Sequence, residues 1–192
     1  MKTVQRNEIV DYITYEENRA AFQQVVFAAK ARRRIHLGDC FTFLFENALT
    51  IRYQIQEMMR AEKIVREKDI GHELETYNDI LGGEGELGCS FMIEIEDPQA
   101  RDLKLREWVN LPGHIYAEMQ DGTKVYACFD RAQIGADRLS SVQYLKFPVR
   151  GVAPVAIGTD LLGCEAKIFL TDDQRSALEE DLRKTRTYTE VR

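Results

Sequence analysis

Apolar residues change their spacing along the chain, and the changes mark the elements. Over residues 14–33, Phe22, Val25, Val26 and Ala29 recur at the spacing of one helical face. Thr14 with Glu17 forms a capping-box signature that opens this helix. Lys30, Arg32, Arg33 and Arg34 close it. A strand is predicted next: Ile35, Leu37, Phe41, Phe43 and Phe45 hold odd positions, while His36, Thr42 and Glu46 hold even ones. Gly38-Asp39 interrupts it as a bulge or bend. Two helices follow, over 49–66 (Ile51, Ile55, Met58, Ala61, Val65) and 70–81 (Ile70, Leu74, Tyr77, Leu81). Gly82-Gly83-Glu84-Gly85 then ends helical structure.

Beyond the glycines the period becomes two. Leu87, Cys89, Phe91, Ile93 and Ile95 alternate with Glu86, Ser90, Glu94 and Glu96. Pro98 opens a helix to about Asn110, stopped by Pro112-Gly113. Residues 114–130 read as a hairpin whose register follows from its faces. Ile115, Ala117 and Met119 must share a face with Val125, Ala127 and Phe129, and a two-residue loop breaks that match. A three-residue loop, Gln120-Asp121-Gly122 with Gly122 left-handed, keeps it by pairing Met119 with Thr123. Strands are expected over 141–149, 152–158 and 163–170. Thr171 with Gln174 caps a last helix over 172–184, and 185–192 reads as a frayed polar tail. The expected fold is α+β, one domain over 1–192. A helix-rich part (1–82) precedes a sheet-rich part (86–170) whose mostly antiparallel sheet forms a sandwich or partial barrel. The helices are grouped in the N-terminal half.

Composition narrows the function classes. The 192 residues are 44% hydrophobic and 30% charged, which excludes bulk disorder and fibrous rods. A net charge of -6 argues against a general nucleic-acid or anionic-membrane binder. No window approaches a membrane-spanning length of apolar residues, and the first eight residues carry no apolar signal core. Cys40, Cys89, Cys128 and Cys164 form no Cys-x-x-Cys pair, so four reduced thiols in a cytoplasmic protein are expected.

Three constellations carry candidate chemistry, each beside a plainer reading. The hairpin register sets His114 opposite Cys128, at roughly 4.5–5.5 Å between Cβ atoms; a neighbouring imidazole activates a thiol or completes half a metal site. Ordinary cross-strand packing, with Tyr116 opposite Tyr126, is the plainer account. His72, Glu75 and Asp79 share one face of the 70–81 helix, and Glu57 and Glu62 on the preceding helix can approach. That set suits a divalent metal such as Fe, Mn or Zn, although its His-x-x-Glu order reverses that of the diiron carboxylate bundles; a polar, solvated helix face is the plainer account. Arg52, Gln54, Glu57 and Arg60 crowd the polar side of their helix, either to recognise an anionic partner or to fix the fold through a paired network. Gly82-Gly83-Glu84-Gly85 lacks the Lys-Ser/Thr of a P-loop, and His72-Glu73 lacks the second His of a zincin.

Several stretches resemble the bacterial domain-of-unknown-function family 3501. They are Arg32-Arg33-Arg34-Ile35-His36-Leu37-Gly38, Leu44-Phe45-Glu46-Asn47, Thr50-Ile51-Arg52-Tyr53-Gln54-Ile55-Gln56-Glu57-Met58, Arg60-Ala61-Glu62 and His72-Glu73-Leu74-Glu75-Thr76-Tyr77-Asn78. The resemblance continues through Gly85-Glu86-Leu87, Ile93-Glu94-Ile95, Phe129-Asp130 and Ser141-Val142-Gln143-Tyr144-Leu145-Lys146-Phe147. It implies a gene neighbourhood of rubrerythrin-like and iron–sulfur oxidoreductase proteins, hence a redox or oxidative-stress setting, and no catalytic residues. The resulting expectation is an accessory or binding protein with a protein partner, possible as a homodimer. Metal binding or metal-dependent catalysis at His72 is the alternative.

Overall fold

The computed structural model describes residues 3–186, with side chains through Arg183; the expected frayed tail lies almost wholly outside the described residues. In chain order the elements are α1 (Tyr12–Ala31), β1 (Arg34–Leu37), β2 (Phe41–Phe45), α2 (Ala48–Glu62), α3 (Glu67–Asn78), β3 (Leu87–Ile93) and α4 (Pro98–Glu107). There follow β4 (Ile115–Glu118), β5 (Lys124–Tyr126), β6 (Val142–Phe147), β7 (Ala156–Thr159), β8 (Ala166–Phe169) and α5 (Asp172–Arg186). Two antiparallel sheets run in the orders β1-β2-β3-β6 and β5-β4-β7-β8. The expected α+β class and antiparallel pairing are therefore found. Three of the five described helices precede Gly82, while α4 and α5 lie beyond it.

Alternation explains the core between the sheets. The odd residues of β2 and β3 (Phe41, Phe43, Phe45, Leu87, Cys89, Phe91, Ile93) meet Leu145 and Phe147 of β6 and Ile115, Ala117 and Ile157 of the second sheet. Phe43 stacks on Phe91 at 4.7 Å between ring centroids. The sheets join at one corner, where Cys128 N donates to Lys146 O (2.7 Å) and Lys146 N returns to Cys128 O (2.8 Å). On the opposite side β1 and β8 are neighbours without a ladder, so the sandwich stays open along that seam.

The hairpin register holds: Met119 N donates to Thr123 O, Tyr116 faces Tyr126, and Gly122 has φ +83°. Two expectations need correction. Residues 35–45 form a hairpin, not one bent strand, because Gly38 at φ +61° turns the chain and Leu37 pairs with Phe41. Since that loop spans three residues, odd positions stay on one face and the sequence parity hides the reversal. The cap of α1 is Asp11, not Thr14: its carboxylate accepts from the backbone of Ile13 and Thr14, each at 3.0 Å. The Thr171–Gln174 box caps α5 as expected.

A second apolar cluster (Val4, Ile9, Ile51, Ile55, Met59, Ile70, Leu74, Ile80, Leu81) binds α2 and α3 to the N-terminal segment. Two side-chain amides serve that segment as a strand would. Gln56 accepts from Val10 N (2.8 Å) and donates to Val10 O (3.1 Å), and Asn78 does the same for Val4 at 2.8 and 2.9 Å. This helical layer lies against the outer face of the first sheet at Gly88, where a Cβ would come within 2.0 Å of the Ile80 carbonyl oxygen. Arg33 and Asp181, both buried, pair through Nε–Oδ2 at 2.7 Å and tie the end of α1 to α5.

Candidate functional site

Helix α1 has an inward and an outward face. On the inward face, Tyr15 and Val26 are buried and Arg19, Phe22, Gln23 and Lys30 are half-buried. The Glu57 carboxylate of α2 collects four donors: Tyr15 Oη at 2.7 Å and Arg19 Nε at 2.8 Å on one oxygen, and an Arg19 amine at 2.9 Å and an Arg60 amine at 3.4 Å on the other. A carboxylate offers about four lone-pair sites, so this one is fully used. The Arg19 hydrogen bond holds the Glu57 carboxyl down at about 2, with burial opposing and Tyr15 assisting. Burial and the Glu57 contact push the Tyr15 phenol up.

Further along the same interface, Gln23 donates to Tyr53 Oη at 3.1 Å, and Lys30 Nζ lies 5.0 Å above the Tyr53 ring. The Arg52 guanidinium lies 5.1 Å over Phe22. Burial lowers the Lys30 ammonium, partly offset by the nearby Glu46 charge. Glu46 is itself buried, accepting from Ser90 Oγ at 2.7 Å and from the Thr50 hydroxyl.

The outward side of α1 carries exposed apolar side chains among exposed polar ones such as Glu17 and Gln24, and Phe27 also meets the Tyr53 ring edge-on at 6.1 Å. Ile13, Val25 and Phe27 are 59%, 57% and 53% exposed, so Val25 leaves the core stripe in which the sequence places it. Ala20, Ala21, Ala28 and Ala31 are also exposed. Ile13, Glu17, Ala20, Gln24, Phe27 and Ala31 follow one another at alternating intervals of four and three, the spacing of a helix–helix seam.

The expected site residues fall in three places. Of the polar motif, Glu57 and Arg60 meet in the ionic cluster, Arg52 stacks on Phe22, and Gln54 is half-buried on the same helix. Of the metal set, His72 and Glu62 line one open cavity of about 610 Å³ at the α2–α3 elbow, together with Glu73 and Asp69. Glu75 is exposed on α3, and Glu57 faces α1 instead of α3, saturated by Arg19. Among the described residues, no group of three or more His, Cys, Asp or Glu side chains is placed to hold a metal ion. Of the thiol pair, Cys128 is exposed where its backbone joins Lys146, while His114 Nδ1 lies 3.1 Å from Asp160. Asp160 also accepts from Tyr126 (2.6 Å) and Lys124 (3.1 Å).

Sequence reasoning missed Tyr15, Arg19, Glu46 and Asp160 as organising groups, and it missed the bare face of α1. Only the last had a local signal: apolar residues on every side of a helix mean that more than one face is to be covered.

Among the described residues, no helix is long and apolar enough to cross a membrane. A family model described as "Protein of unknown function (DUF3501)" matches residues 3–182. No curated protein matches the chain. A solved structure described as a novel protein of unknown function from Burkholderia pseudomallei K96243 is similar at 29% identity and a TM-score of 0.86. The match covers 94% of this chain and 100% of that one.

Proposed function

The chain belongs to the DUF3501 family, and from that premise we propose that it is an accessory binding protein that pairs with a second copy of itself through α1. The observation that carries this reading is the exposed seam of α1, where Ile13 and Phe27 are more than half exposed beside Ala20 and Ala31. The polar motif Arg52, Gln54, Glu57 and Arg60 acts as its organiser, locking the inward face of α1 so that the outward face is presented on a rigid support. The client system is the cytoplasmic redox or oxidative-stress one that the family resemblance implies. That part rests on the resemblance alone.

Self-pairing is favoured by the symmetry of the seam. An antiparallel pair centred near Phe22 sets Ile13 against the partner's Ala31, Glu17 against the partner's Phe27 and Ala20 against the partner's Gln24. Ile13 and Gln24 therefore meet alanines, Phe27 meets the aliphatic part of Glu17, and every contact occurs twice, as a two-fold interface demands. Asp11, Glu16 and Glu17 lie at one end of the helix and Lys30, Arg32 and Arg34 at or just beyond the other. The antiparallel arrangement thus brings opposite charges and opposite helix-dipole ends together.

A helix of 20 residues is about 30 Å long, so the interface is at the small end of stable ones. Sedimentation equilibrium at a concentration of about 100 µM, suited to a micromolar complex, is expected to show a dimer. Ala20→Glu, which puts a charge at the centre of the seam, is expected to give a monomer with an unchanged circular dichroism spectrum. A wild-type monomer at that concentration, or a dimer indifferent to Ala20→Glu, overturns the reading.

A further inference from the structure

The four cysteines are free thiols in different surroundings: Cys89 is fully buried, Cys128 is exposed at the closed corner of the sandwich, and Cys40 and Cys164 are half-buried. These last two lie on distant parts of the chain, yet the topology brings their turns together. Cys40 ends the β1–β2 turn, its carbonyl accepting from Glu94 N at 2.7 Å. Cys164 lies in the β7–β8 turn, its N donating to Leu161 O at 2.8 Å.

Strands β1 and β8 are neighbours across the open seam, and two contacts fix their relative direction. Gln174, just past β8, donates to the Arg34 carbonyl at the start of β1 (2.8 Å), and Asp173 pairs with Arg32 (2.8 Å). The end of β8 therefore lies beside the start of β1, and the turn entering β8 lies beside the turn leaving β1. Both thiols pack against the same core cluster. Both also feel the Lys104 ammonium of α4, and the Cys164 thiol feels Cys40.

We propose that Cys40 and Cys164 are a redox-active dithiol whose oxidant is a hydroperoxide and whose product is an intramolecular disulfide across the β1–β8 seam. In the first step one thiolate attacks the peroxide, an S–O bond forms, the O–O bond breaks, and the departing oxygen leaves as water. In the second, the other thiolate attacks the resulting sulfenic sulfur, the S–S bond forms, and hydroxide leaves to become a second water. Two thiols lose two electrons and one hydrogen peroxide is reduced to two waters. The product joins the two sheets along the edge where no ladder does so. Unlike the α1 surface, this site needs no partner chain.

Burial raises both thiols, reinforced by Asp39 at Cys40 and by Glu107 and Glu165 at Cys164, with Lys104 opposing at each. Both are thus protonated at neutral pH, so the rate of oxidation is expected to climb as pH rises. The pair responds to sustained peroxide more than to a brief pulse.

The test is intact-mass and peptide-mapping mass spectrometry of the full chain after hydrogen peroxide treatment, without reductant. The expected result is a loss of about 2 Da, a cross-linked peptide pair containing Cys40 and Cys164, and reversal by dithiothreitol. Cys128→Ser is expected to keep the cross-link and Cys40→Ser to lose it. Alkylation of the treated wild-type chain gives the same answer without a variant, because the two thiols become protected together. Independent conversion of Cys40 and Cys164 to sulfinic acids, continued alkylation of both, or a cross-link made only through Cys128 overturns the proposal. The Ala20→Glu chain is expected to form the same cross-link, so failure here and failure of the α1 reading are separate results.

Discussion

Between the two sheets, Phe43 stacks on Phe91 and some two dozen buried apolar residues pack together. Between α1 and α2, the contacts are a carboxylate with four donors, a phenol, an amide and two cations over aromatic rings. The first interior is non-directional: it rewards any apolar group of the right volume and sets stability. The second is directional, contributes less free energy, and defines how α1 is rotated on its support. That difference teaches why α1 can leave an apolar stripe in solvent. Its orientation is held by pairings that only one rotation satisfies, so the stripe cannot turn inward.

The contrast can be broken from the sheet side first. Phe91→Ala is expected to cost about 3–5 kcal/mol, from lost transfer energy and the cavity left behind, measured by urea denaturation. A loss of under about 1 kcal/mol, within the range of a surface change, means that the inter-sheet core is not the dominant store of stability.

Glu57→Gln probes the directional interface, with an expected cost of about 1.5–3 kcal/mol, the range for hydrogen bonds to a charged group. Its pH dependence gives the sign. The carboxyl is lowered from 4.5 to about 2 on folding, so its contribution is complete above the unfolded value and drains away as pH falls from there toward 2. Wild type and Glu57→Gln are therefore expected to differ in denaturation midpoint at pH 7 and to converge near the acid end. A gap that persists there assigns the effect to packing, not charge. Smallest of all, Ala20→Glu is expected to change the stability of the monomer by no more than about 0.5 kcal/mol. A larger loss places Ala20 inside the fold and removes it from the seam.

Local patterns carried much of the fold in readable form. The β4–β5 hairpin was legible because alternation on both arms and Gly122 at the bend leave one register, and the Thr171–Gln174 box marked α5. The β1–β2 turn was not, since a three-residue loop preserves parity and Ile35 through Phe45 read as one strand. Asp11 was overlooked as a cap because Thr14 and Glu17 offer a competing box nearby. Of the candidate site, Glu57 and Arg60 could be singled out from their helix. Their partners Tyr15 and Arg19 could not, because helix packing alone joins positions 38 and 42 apart. The same holds for Arg33 with Asp181 at a separation of 148, and for the Cys40–Cys164 neighbourhood.

Gly88 has a consequence for what the gene tolerates. It is the second residue of β3, with no turn to make and no left-handed backbone to adopt, so nothing in its surroundings along the chain marks it as special. Yet the nearest wall to its missing side chain is a carbonyl of the helical layer, which has no rotamer by which to step aside. In a saturation library scored for soluble expression, position 88 is expected to reject alanine almost as firmly as tryptophan, whereas Gly122 at the hairpin tip, open to solvent, is expected to accept asparagine. A blank column at an unremarkable glycine is how such an experiment registers two layers of backbone in contact.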